Sequence, residues 1–289
     1  MALFLEQVVN GLTLGAYYAL VAVGLALVFG VARLVNFAHG EFFMLGAYVL
    51  YFAYGVYHLP YGVAVLLVVL GLAVFGAVFH RLIYQPVMHR VWHVQLIATL
   101  AASFILVNVA IIAIGSTQRS AATPLVSEVL TLGDVHVAYQ RLLVLGVALL
   151  AFVALQQFIQ RTPQGRAMRA IAQNREAAQV LGIDLAQVTR LTFVLSAALT
   201  GLAAGLVAPL YLIFPTVGSL LTLKAFAVVV IGGMGNATGA LIAAFIVGLA
   251  EAFGAGYISV EYRDAIAFIL MIVVLLWRPL GLMGQRVGI

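Results

Sequence analysis

The sequence predicts an all-α polytopic membrane protein, and three observations support that fold class. Of its 289 residues, 65% are hydrophobic and only 8% are charged, which gives a mean hydropathy of +1.18. Soluble domains carry about 25% charged residues. Long charge-free intervals, among them 7–32 and 42–80, each hold the roughly 20 apolar residues that a membrane-spanning helix needs. The runs lack the alternation of a barrel strand, and an open sheet in lipid would leave its edge groups unpaired.

The apolar runs predict a bundle of about eight transmembrane helices within a single membrane domain, residues 1–289. The predicted spans are 8–31, 34–56, 62–83, 94–115, 141–160, 187–212, a broken segment at 219–254, and 263–280. The first residues lack the positive n-region and the small-residue cleavage site of a signal peptide. We therefore expect the first run to be a retained helix.

The positions of the arginines predict the orientation of the bundle. With the N-terminus outside, ten arginines lie on the cytoplasmic side and three, Arg119, Arg141 and Arg263, lie outside, in agreement with the positive-inside rule. The cytoplasmic set is Arg33, Arg81, Arg90, Arg161, Arg166, Arg169, Arg175, Arg190, Arg278 and Arg286. We interpret the net charge of +5 as topology and expect no nucleic-acid partner. This orientation requires 219–254 to enter and leave on the same side, and it makes the C-terminus cytoplasmic.

The segment 219–254 reads as two short helices separated by glycines. Its first part, Ser219–Ile231, contains Lys224 and is too short to span a membrane at about 1.5 Å per residue. The run Gly232–Gly239 follows, and then a second apolar stretch begins. This pattern predicts a re-entrant or discontinuous helix, which membranes tolerate where protein or a water-filled cavity surrounds it. A cytoplasmic turn between two short tilted spans is the alternative.

A second interruption, at 33–41, places ionisable side chains next to lipid-length helices. Ionisable groups inside a membrane cost about 2.5–3.5 kcal/mol and usually face a bundle interior or a pore. His39 and Glu41 are two residues apart, so we expect them to point to different helix faces. Asn36 precedes Gly40 much as Asn236 precedes Gly239, which is either a weak internal repeat or a chance similarity.

The residue types required for catalysis are sparse. The chain has no cysteine, no zinc-binding HExxH pattern and no phosphate loop, so we expect no metal, no cofactor and no catalytic site. The remaining histidines lie at predicted helix ends or loops, where we expect them to be interfacial or solvated: His58, His80, His89, His93 and His136. The acidic residues other than Glu41 that bear on proton relay also fall near predicted helix ends: Glu6, Glu128, Asp134, Glu251, Glu261 and Asp264. Any ATP-driven transport would need ATP to be bound by another chain.

The external loop 116–140 contains short apolar alternation around Gly133-Asp134, which predicts a small hairpin lid. Close helix packing is predicted at glycines with small-xxx-small spacing. These pairs are Gly11/Gly15, Gly201/Gly205 and Gly235/Gly239.

The largest polar stretch, 161–190, holds the signals of a folded surface element. Thr162-Pro163 is typical of a helix start, and 165–173 reads as a short amphipathic helix with Ala167, Ala170 and Ile171 on one face. Asn174 is a second cap, Gly182 a stop, and Asp184 with Gln187 resembles a capping box. Such an element suits docking into a partner's groove. The alternative is a basic helix lying on anionic lipid.

The string GRAMRAIAQNREAAQVLGID, within 161–190, resembles the cytoplasmic coupling loop of ABC importer permeases. LVNFAHGEFFMLGAY and VVIGGMGNATGALIAA resemble the permeases of branched-chain amino acid importers. The resemblance covers nearly the whole chain in the same order, and the length resembles the shorter, H-type permease subunit. Related permeases for urea, short amides or other amino acids carry a very similar NxAHGE string, so these substrates stay open.

The resemblance implies an ABC importer permease in the bacterial inner membrane. It implies three kinds of partner, namely a homologous M-type permease, two cytoplasmic ATP-binding subunits and a periplasmic substrate-binding protein, within membrane lipid. The implied ATPase-coupling residues are Gly165, Arg166, Arg169, Arg175, Glu176, Gly182 and Asp184. The implied pathway or gate residues are Asn36, Phe37, His39, Gly40, Glu41, Gly232, Gly233, Gly235, Asn236 and Gly239. No high-affinity substrate pocket is implied. A stand-alone secondary carrier or channel is the alternative from another class.

Overall fold

A computed structural model of the chain describes residues 2–132 and 135–284. The longer helices are α1 (Ala2–Ala32), α2 (His39–Leu50), α3 (Tyr61–Phe79), α4 (Trp92–Ile114), α6 (Tyr139–Arg161), α7 (Pro163–Gln173), α9 (Leu185–Val207), α10 (Val217–Gly232), α11 (Ala237–Tyr257) and α12 (Arg263–Trp277). The shorter elements are α5 (Pro124–Ser127), α8 (Arg175–Val180), β1 (Val129–Leu132) and β2 (Val135–Ala138). π-helical turns Tyr51–Val56 and His80–Tyr84 extend α2 and α3, and 3₁₀ turns lie at Gln85–Val87, Ala208–Leu210 and Val260–Tyr262. The predicted all-α membrane fold is confirmed.

Six helices in the described part of the chain are long and apolar enough to cross a membrane: α1, α3, α4, α6, α9 and α11. α1 and α9 are mostly buried in the bundle, whereas most residues of α3, α4 and α6 are at least partly exposed. The exposed apolar side chains of these three helices therefore face surroundings outside the chain, as expected for helices that contact lipid or another membrane subunit.

Glycines bring α1 and α11 into backbone contact, as predicted for Gly11 and Gly15. A Cβ atom added to Gly11 would lie 2.7 Å from the Leu249 Cα, and one added to Gly15 would lie 2.8 Å from the Phe245 Cα. Gly248 approaches the backbone of the same two α1 glycines from the other side. The two helices run antiparallel with their backbones in van der Waals contact, which is the packing that small residues permit in membranes.

The other two glycine pairs also lie where backbones approach closely. One pair lies between two helices, and the other lies at the break between α10 and α11. Gly201 and Gly205 of α9 pack against α3, with virtual Cβ distances of 3.0 Å to Leu72 and 3.2 Å to Val65. Gly235 lies outside the helices and packs on Gly30 of α1, while Gly239 packs on Gly232 across the break.

The contacts define two ends of the bundle. The Arg-rich end carries the C-terminus of α1, the α7–α8 element and residues 232–239; Tyr84 there donates to the Ala32 carbonyl at 3.1 Å. The hairpin end carries the N-terminus of α1 and the β1–β2 hairpin, where Gln140 donates to the Leu206 carbonyl at 2.6 Å. The predicted turn of that hairpin, Gly133-Asp134, lies outside the described residues, whereas the paired strands confirm the hairpin itself.

The break in 219–254 lies at the Arg-rich end. Gly235 contacts Gly30, two residues before the end of α1, and α11 then runs back along α1 until Gly256 meets Gln7. α10 descends from the hairpin end, where Ile213 pairs with Arg119, and it has only 16 residues. The segment thus enters and returns at the hairpin end, and the break is a turn between two helices at the Arg-rich end. The geometry favours the alternative prediction of two helices joined by a turn over a re-entrant helix, although only α10 is short and α11, with 21 residues, is long enough to cross a membrane.

The predicted span 34–56 is wrong at its start, because the helix begins only at His39. Arg33 has a φ of +54°, and Asn36 Oδ1 accepts a hydrogen bond from the Ala38 N–H at 3.1 Å. Such a side-chain bond to the local backbone competes with helix formation. Residues 34–38 therefore enter the bundle as largely non-helical chain, where Thr99 Oγ1 of α4 accepts a hydrogen bond from the Phe37 N–H and donates one to the Val35 carbonyl.

The glycine contact between α1 and α11 predicts a position-specific effect on stability. Gly248→Leu forces a side chain into the α1 backbone, so we expect it to lower the unfolding free energy in detergent by about 3 kcal/mol, the upper range for overpacking. Gly146→Leu is the matched control, because a Cβ at Gly146 of α6 meets nothing within 4 Å. Equal melting temperatures for the two purified variants would contradict this packing.

Candidate functional site

The α7–α8 element is folded by three side-chain caps, as predicted. Thr162 Oγ1 accepts a hydrogen bond from the Gly165 N–H at 3.0 Å, and Asn174 Oδ1 accepts one from the Ala177 N–H at 3.0 Å. Asp184 Oδ1 accepts from the N–H groups of Ala186 and Gln187 at 2.9 and 3.1 Å, which starts α9. The caps satisfy backbone donors that helix starts leave free, so the element is a defined structure between α6 and α9.

One face of α7 is buried against the bundle. Gly165, Met168 and Ile171 are buried, while Arg166 and Arg169 point outward. Gly165 has no room for a Cβ because the carbonyls of α6 lie against it. Of the predicted apolar face, Ile171 is buried and Ala167 and Ala170 are half-buried. The predicted coupling residue Gly165 is therefore buried where α7 meets α6, whereas Asp184 is exposed and uses one carboxylate oxygen, Oδ1, in its capping bonds.

The tip of the element exposes two large apolar side chains that the sequence interpretation missed. Val180 and Leu181 at the end of α8 are 87% and 80% exposed. They precede Gly182, whose φ of +83° ends the helix as predicted. Glu176 is exposed one turn earlier, while Arg175 is half-buried with its guanidinium 3.5 Å from the Met88 carbonyl. The sequence did contain a signal for this tip, namely two apolar residues directly before a helix-ending glycine. Apolar residues in that position often pack on their own helix, so the pattern alone does not predict their exposure.

A cavity of about 710 Å³ at the Arg-rich end brings the two predicted site groups together. Its walls come from the end of α1, from α6, from α7 and from the α10–α11 break. The lining includes Gly30, Arg33, Met168, Arg169, Gly235 and Asn236. Residues of α7 and residues of the break therefore border the same cavity.

The break is held in a fixed shape. Gly233 and Gly235 have φ values of +104° and +84°, a region that favours glycine. Asn236 Oδ1 accepts from the Gly239 N–H at 2.9 Å and so caps α11. The chain after α12 returns here, because the N–H groups of Leu282 and Met283 donate to the carbonyls of Ile231 and Gly232 at 2.8 and 3.0 Å. The final carbonyls of α10 thus gain partners from the C-terminal segment.

The predicted polar segment lies deep in the bundle, at the start of α2. His39 Nε2 is 3.0 Å from both the Val21 carbonyl and Thr200 Oγ1, so the ring packs between α1 and α9. Val21 lies about 16 Å along α1 from its end at Ala32. The Gly40 N–H donates to Thr222 Oγ1 of α10 at 2.9 Å, and Gly40 has no space for a Cβ because Gly218 adjoins it.

Glu41 points away from His39, as predicted. Its Oε1 accepts hydrogen bonds from Ser103 Oγ of α4 at 2.7 Å and from Ser219 Oγ of α10 at 3.4 Å. Its Oε2 has no hydrogen-bond partner among the described residues and lies against Gly218. Asn36 is fully buried and the Phe37 ring lies beside Phe226, with centroids 6.4 Å apart. The predicted pathway residues thus form two separate groups, one deep and one at the Arg-rich end.

Comparison with known proteins decides the family. Residues 7–275 match the family described as the permease component of the branched-chain amino acid transport system. The permease protein BraD of Pseudomonas aeruginosa is 35% identical over 295 residues, covering 98% of this chain and 96% of BraD. LivH of Escherichia coli K12 is 35% identical over 297 residues, with the same coverage. The chain belongs to the branched-chain amino acid transport permease family.

The match confirms the resemblance to an ABC importer permease of the LivH type. Both relatives are named as permease proteins of high-affinity branched-chain amino acid transport systems. A more distant similarity, 37% over 106 residues and 34% of this chain, relates it to a ribose import permease of Bacillus subtilis. No solved structure matches the permease.

The permease also contains a buried ion pair that the sequence interpretation missed. Lys224 Nζ of α10 lies 2.9 Å from Glu251 Oε1 of α11 and 2.7 Å from Asp264 Oδ1 of α12. The Tyr18 hydroxyl of α1 donates to Glu251 Oε2 at 2.7 Å. The prediction that Glu251 lies near a helix end is wrong, because α11 continues to Tyr257 and the carboxylate is fully buried. The sequence did contain a signal for this pair, because Lys224 and Glu251 are oppositely charged residues that each lie within an apolar run.

His80 is a second correction. The π-helical turn that it opens directs its ring into the bundle, where Nε2 lies 2.9 Å from Thr189 Oγ1 and the residue is buried. The expectation that it is interfacial or solvated is therefore wrong. The other four histidines of that group are exposed, as predicted: His58, His89, His93 and His136.

The buried ion pair predicts strong energetic coupling. Lys224→Met leaves the Glu251 carboxylate buried without its main cation, so we expect a loss of about 3–5 kcal/mol in unfolding free energy. The double variant Lys224→Met/Glu251→Gln removes both charges and should recover a large part of that loss. Unfolding of the purified single and double variants in detergent measures the coupling. Strictly additive losses would contradict a pair that depends on mutual neutralisation.

Proposed function

We propose that this permease is the H-type subunit of an ATP-driven importer that moves branched-chain amino acids across the bacterial inner membrane. Two lines support the proposal, namely the LivH-type sequence over 98% of the chain and the folded α7–α8 element. ATP is hydrolysed by two partner subunits, a homologous M-type permease completes the membrane part, and a periplasmic protein delivers the solute. The chain itself acts as a transport subunit.

The exposed tip of α8 is the observation that carries the coupling role. Val180 and Leu181 project from an element whose other face is fixed to the bundle by buried Met168 and Ile171. Two exposed aliphatic side chains surrounded by polar ones fit an apolar groove with a charged rim on a partner. The outward residues Arg166, Arg169 and Glu176 then contact that rim, and Gly182 ends the helix so that the tip can enter the groove.

We assign the Arg-rich end to the cytoplasm and the hairpin end to the periplasm. This assignment follows the positive-inside rule, because the described arginines other than Arg119, Arg141 and Arg263 belong to elements or loops at the Arg-rich end. The N-terminus is then periplasmic and the C-terminus cytoplasmic. The ATPases meet α8, and the binding protein meets the end with the hairpin.

Coupling passes from α7 to the gate elements through α6. Gly165 packs α7 on α6, and Gln156 of α6 donates a hydrogen bond to Thr238 Oγ1 at the start of α11 at 2.7 Å. A push on α8 therefore shifts the α10–α11 break, while α10 also contacts Gly40 and Glu41 at its other end. In this mechanism α10 is the rigid element that connects cytoplasmic coupling to the deep polar group.

The alternatives differ in substrate or in energy source. Permeases for urea, short amides or other amino acids would use the same coupling element, so uptake competition by these solutes separates them. A stand-alone carrier or channel is favoured by one observation, the Lys224–Glu251 pair, since buried ionisable groups mark ion pathways in carriers. Solute flux in liposomes that hold this chain alone would support that alternative.

The coupling role predicts that charged residues at the α8 tip weaken the binding of the ATPase subunits and thereby reduce uptake. Val180→Glu and Leu181→Glu add charge to the apolar tip, so we expect at least a tenfold loss of ATPase-subunit binding, equivalent to about 1.4 kcal/mol or more, and a matching loss of ATP-dependent uptake. Copurification with the ATPase subunits and uptake by reconstituted importer measure the two effects.

Val129→Glu is the control, because Val129 is also exposed but lies on β1 at the hairpin end. This variant should retain ATPase binding. Normal ATPase binding by both tip variants, or loss only of attachment to anionic vesicles, would refute the docking role and favour a lipid-facing helix.

A further inference from the structure

A second cavity, of about 240 Å³, lies at the hairpin end on the opposite side of the bundle from the coupling element. It is enclosed by α1, α6, α11, the start of α12 and the turn after α9. Its polar lining is Gln7, Asn10, Thr13, Arg141, Tyr211 and Arg263. Its apolar wall includes Leu14, Leu210, Ala252 and Ala255. The cavity thus offers two guanidinium groups beside a small aliphatic surface.

The ion pairs beside this cavity contain two cations and two acids. Lys224 and Arg263 share the carboxylates of Glu251 and Asp264, while Arg141, which also lines the cavity, takes part in none of these pairs. Both acids are drawn to Lys224, at 2.9 and 2.7 Å. Glu251 also accepts the Tyr18 hydroxyl, so its oxygens are already engaged.

The two arginines are consequently incompletely neutralised. Arg263 Nε is buried, lies 3.6 Å from Glu251 Oε2 and has no hydrogen-bond partner among the described residues. Arg141 donates to the neutral Asn10 side chain and forms no ion pair within the described part of the chain. A guanidinium in such surroundings gains most from a carboxylate, which accepts charge-assisted hydrogen bonds.

We propose that this cavity is a low-affinity receiving site in which Arg263 and Arg141 bind the carboxylate of the incoming aliphatic amino acid. The apolar wall accepts the branched side chain, and Lys224 holds both acids at 2.9 and 2.7 Å, which leaves Arg263 with only a longer, 3.6 Å contact to Glu251. The inference rests on the proposed function in taking the hairpin end as the side that receives solute. It identifies the first contact of the solute with the permease, whereas selectivity remains with the binding protein.

Carboxylate binding is tested on the complete permease–ATPase complex in phosphatidylcholine nanodiscs without binding protein. The probes are isovalerate and its neutral isostere isovaleramide, observed by saturation-transfer NMR at millimolar concentration. We expect isovalerate to bind and isovaleramide to bind at least about tenfold more weakly, as the loss of a charge-assisted hydrogen bond implies. Equal binding of the two probes overturns the proposal.

Variants locate the site. Arg141→Gln and Arg263→Gln should each weaken isovalerate binding by about tenfold or more, while Arg263→Lys keeps the charge and should retain part of it. Arg119→Gln is the matched control at the same end, since Arg119 lies over the Tyr51 ring, 5.7 Å from its centroid, and does not line the cavity. An equal loss in Arg119→Gln, or unchanged binding in folded Arg141→Gln and Arg263→Gln, overturns the assignment.

Two further measurements distinguish the receiving site from a lipid-binding site and from an inactive importer. If phosphatidylglycerol in the nanodisc abolishes the isovalerate signal, the arginines bind a lipid phosphate and the receiving site is refuted. ATP-driven leucine uptake by the wild-type importer is measured in parallel. Missing uptake refutes the proposed function, whereas normal uptake without isovalerate binding refutes only this site.

Discussion

The contact between α1 and α11 is the interaction on which the rest of the bundle depends. Apolar side chains gain little by leaving lipid for one another, so close packing has to hold membrane helices together. Gly11, Gly15 and Gly248 allow the two backbones to touch, and Gly30 receives Gly235 at the other end. With α11 fixed along α1, the break before it is held at the Arg-rich end and Glu251 is held beside Tyr18. The break and the buried Glu251 carboxylate are therefore both positioned by the α1–α11 pair.

The second constraint is that polar groups inside the bundle need partners from the protein. Asn36 and the Lys224–Glu251 pair are buried, while α4 and α6 expose apolar surface. Three of the polar groups in the described chain bear on function: the deep group at His39 and Glu41, the ion pair near the hairpin end, and the Arg-rich end. α10 touches all three, through Thr222, Lys224 and Gly232. A helix with these contacts is well placed to transmit a movement from one face of the membrane to the other.

Features that arise from local sequence could be predicted, and features that arise from distant contacts could not. The caps at Thr162, Asn174 and Asp184 and the glycine stop at Gly182 follow from neighbouring residues, and all four were predicted correctly. The pairing of Lys224 with Glu251 joins residues that are 27 positions apart, and only the fold brings them together. Likewise the sequence predicts a helix end at His80, whereas a π-helical turn continues the helix and directs the ring inward. The coupling loop was recognisable from its sequence, but the outward position of Val180 and Leu181 depends on how α7 packs.

The position of the α8 tip, against an ATPase in the cytoplasm, is tested most directly by labelling. The chain has no cysteine, so Leu181→Cys and Val129→Cys each introduce a single reactive thiol. We expect a membrane-impermeant maleimide to label Leu181→Cys only in inside-out vesicles and Val129→Cys only in right-side-out vesicles. We also expect bound ATPase subunits to protect Leu181→Cys. Labelling of Leu181→Cys from the outside, or equal labelling with and without the ATPase subunits, would contradict the coupling role.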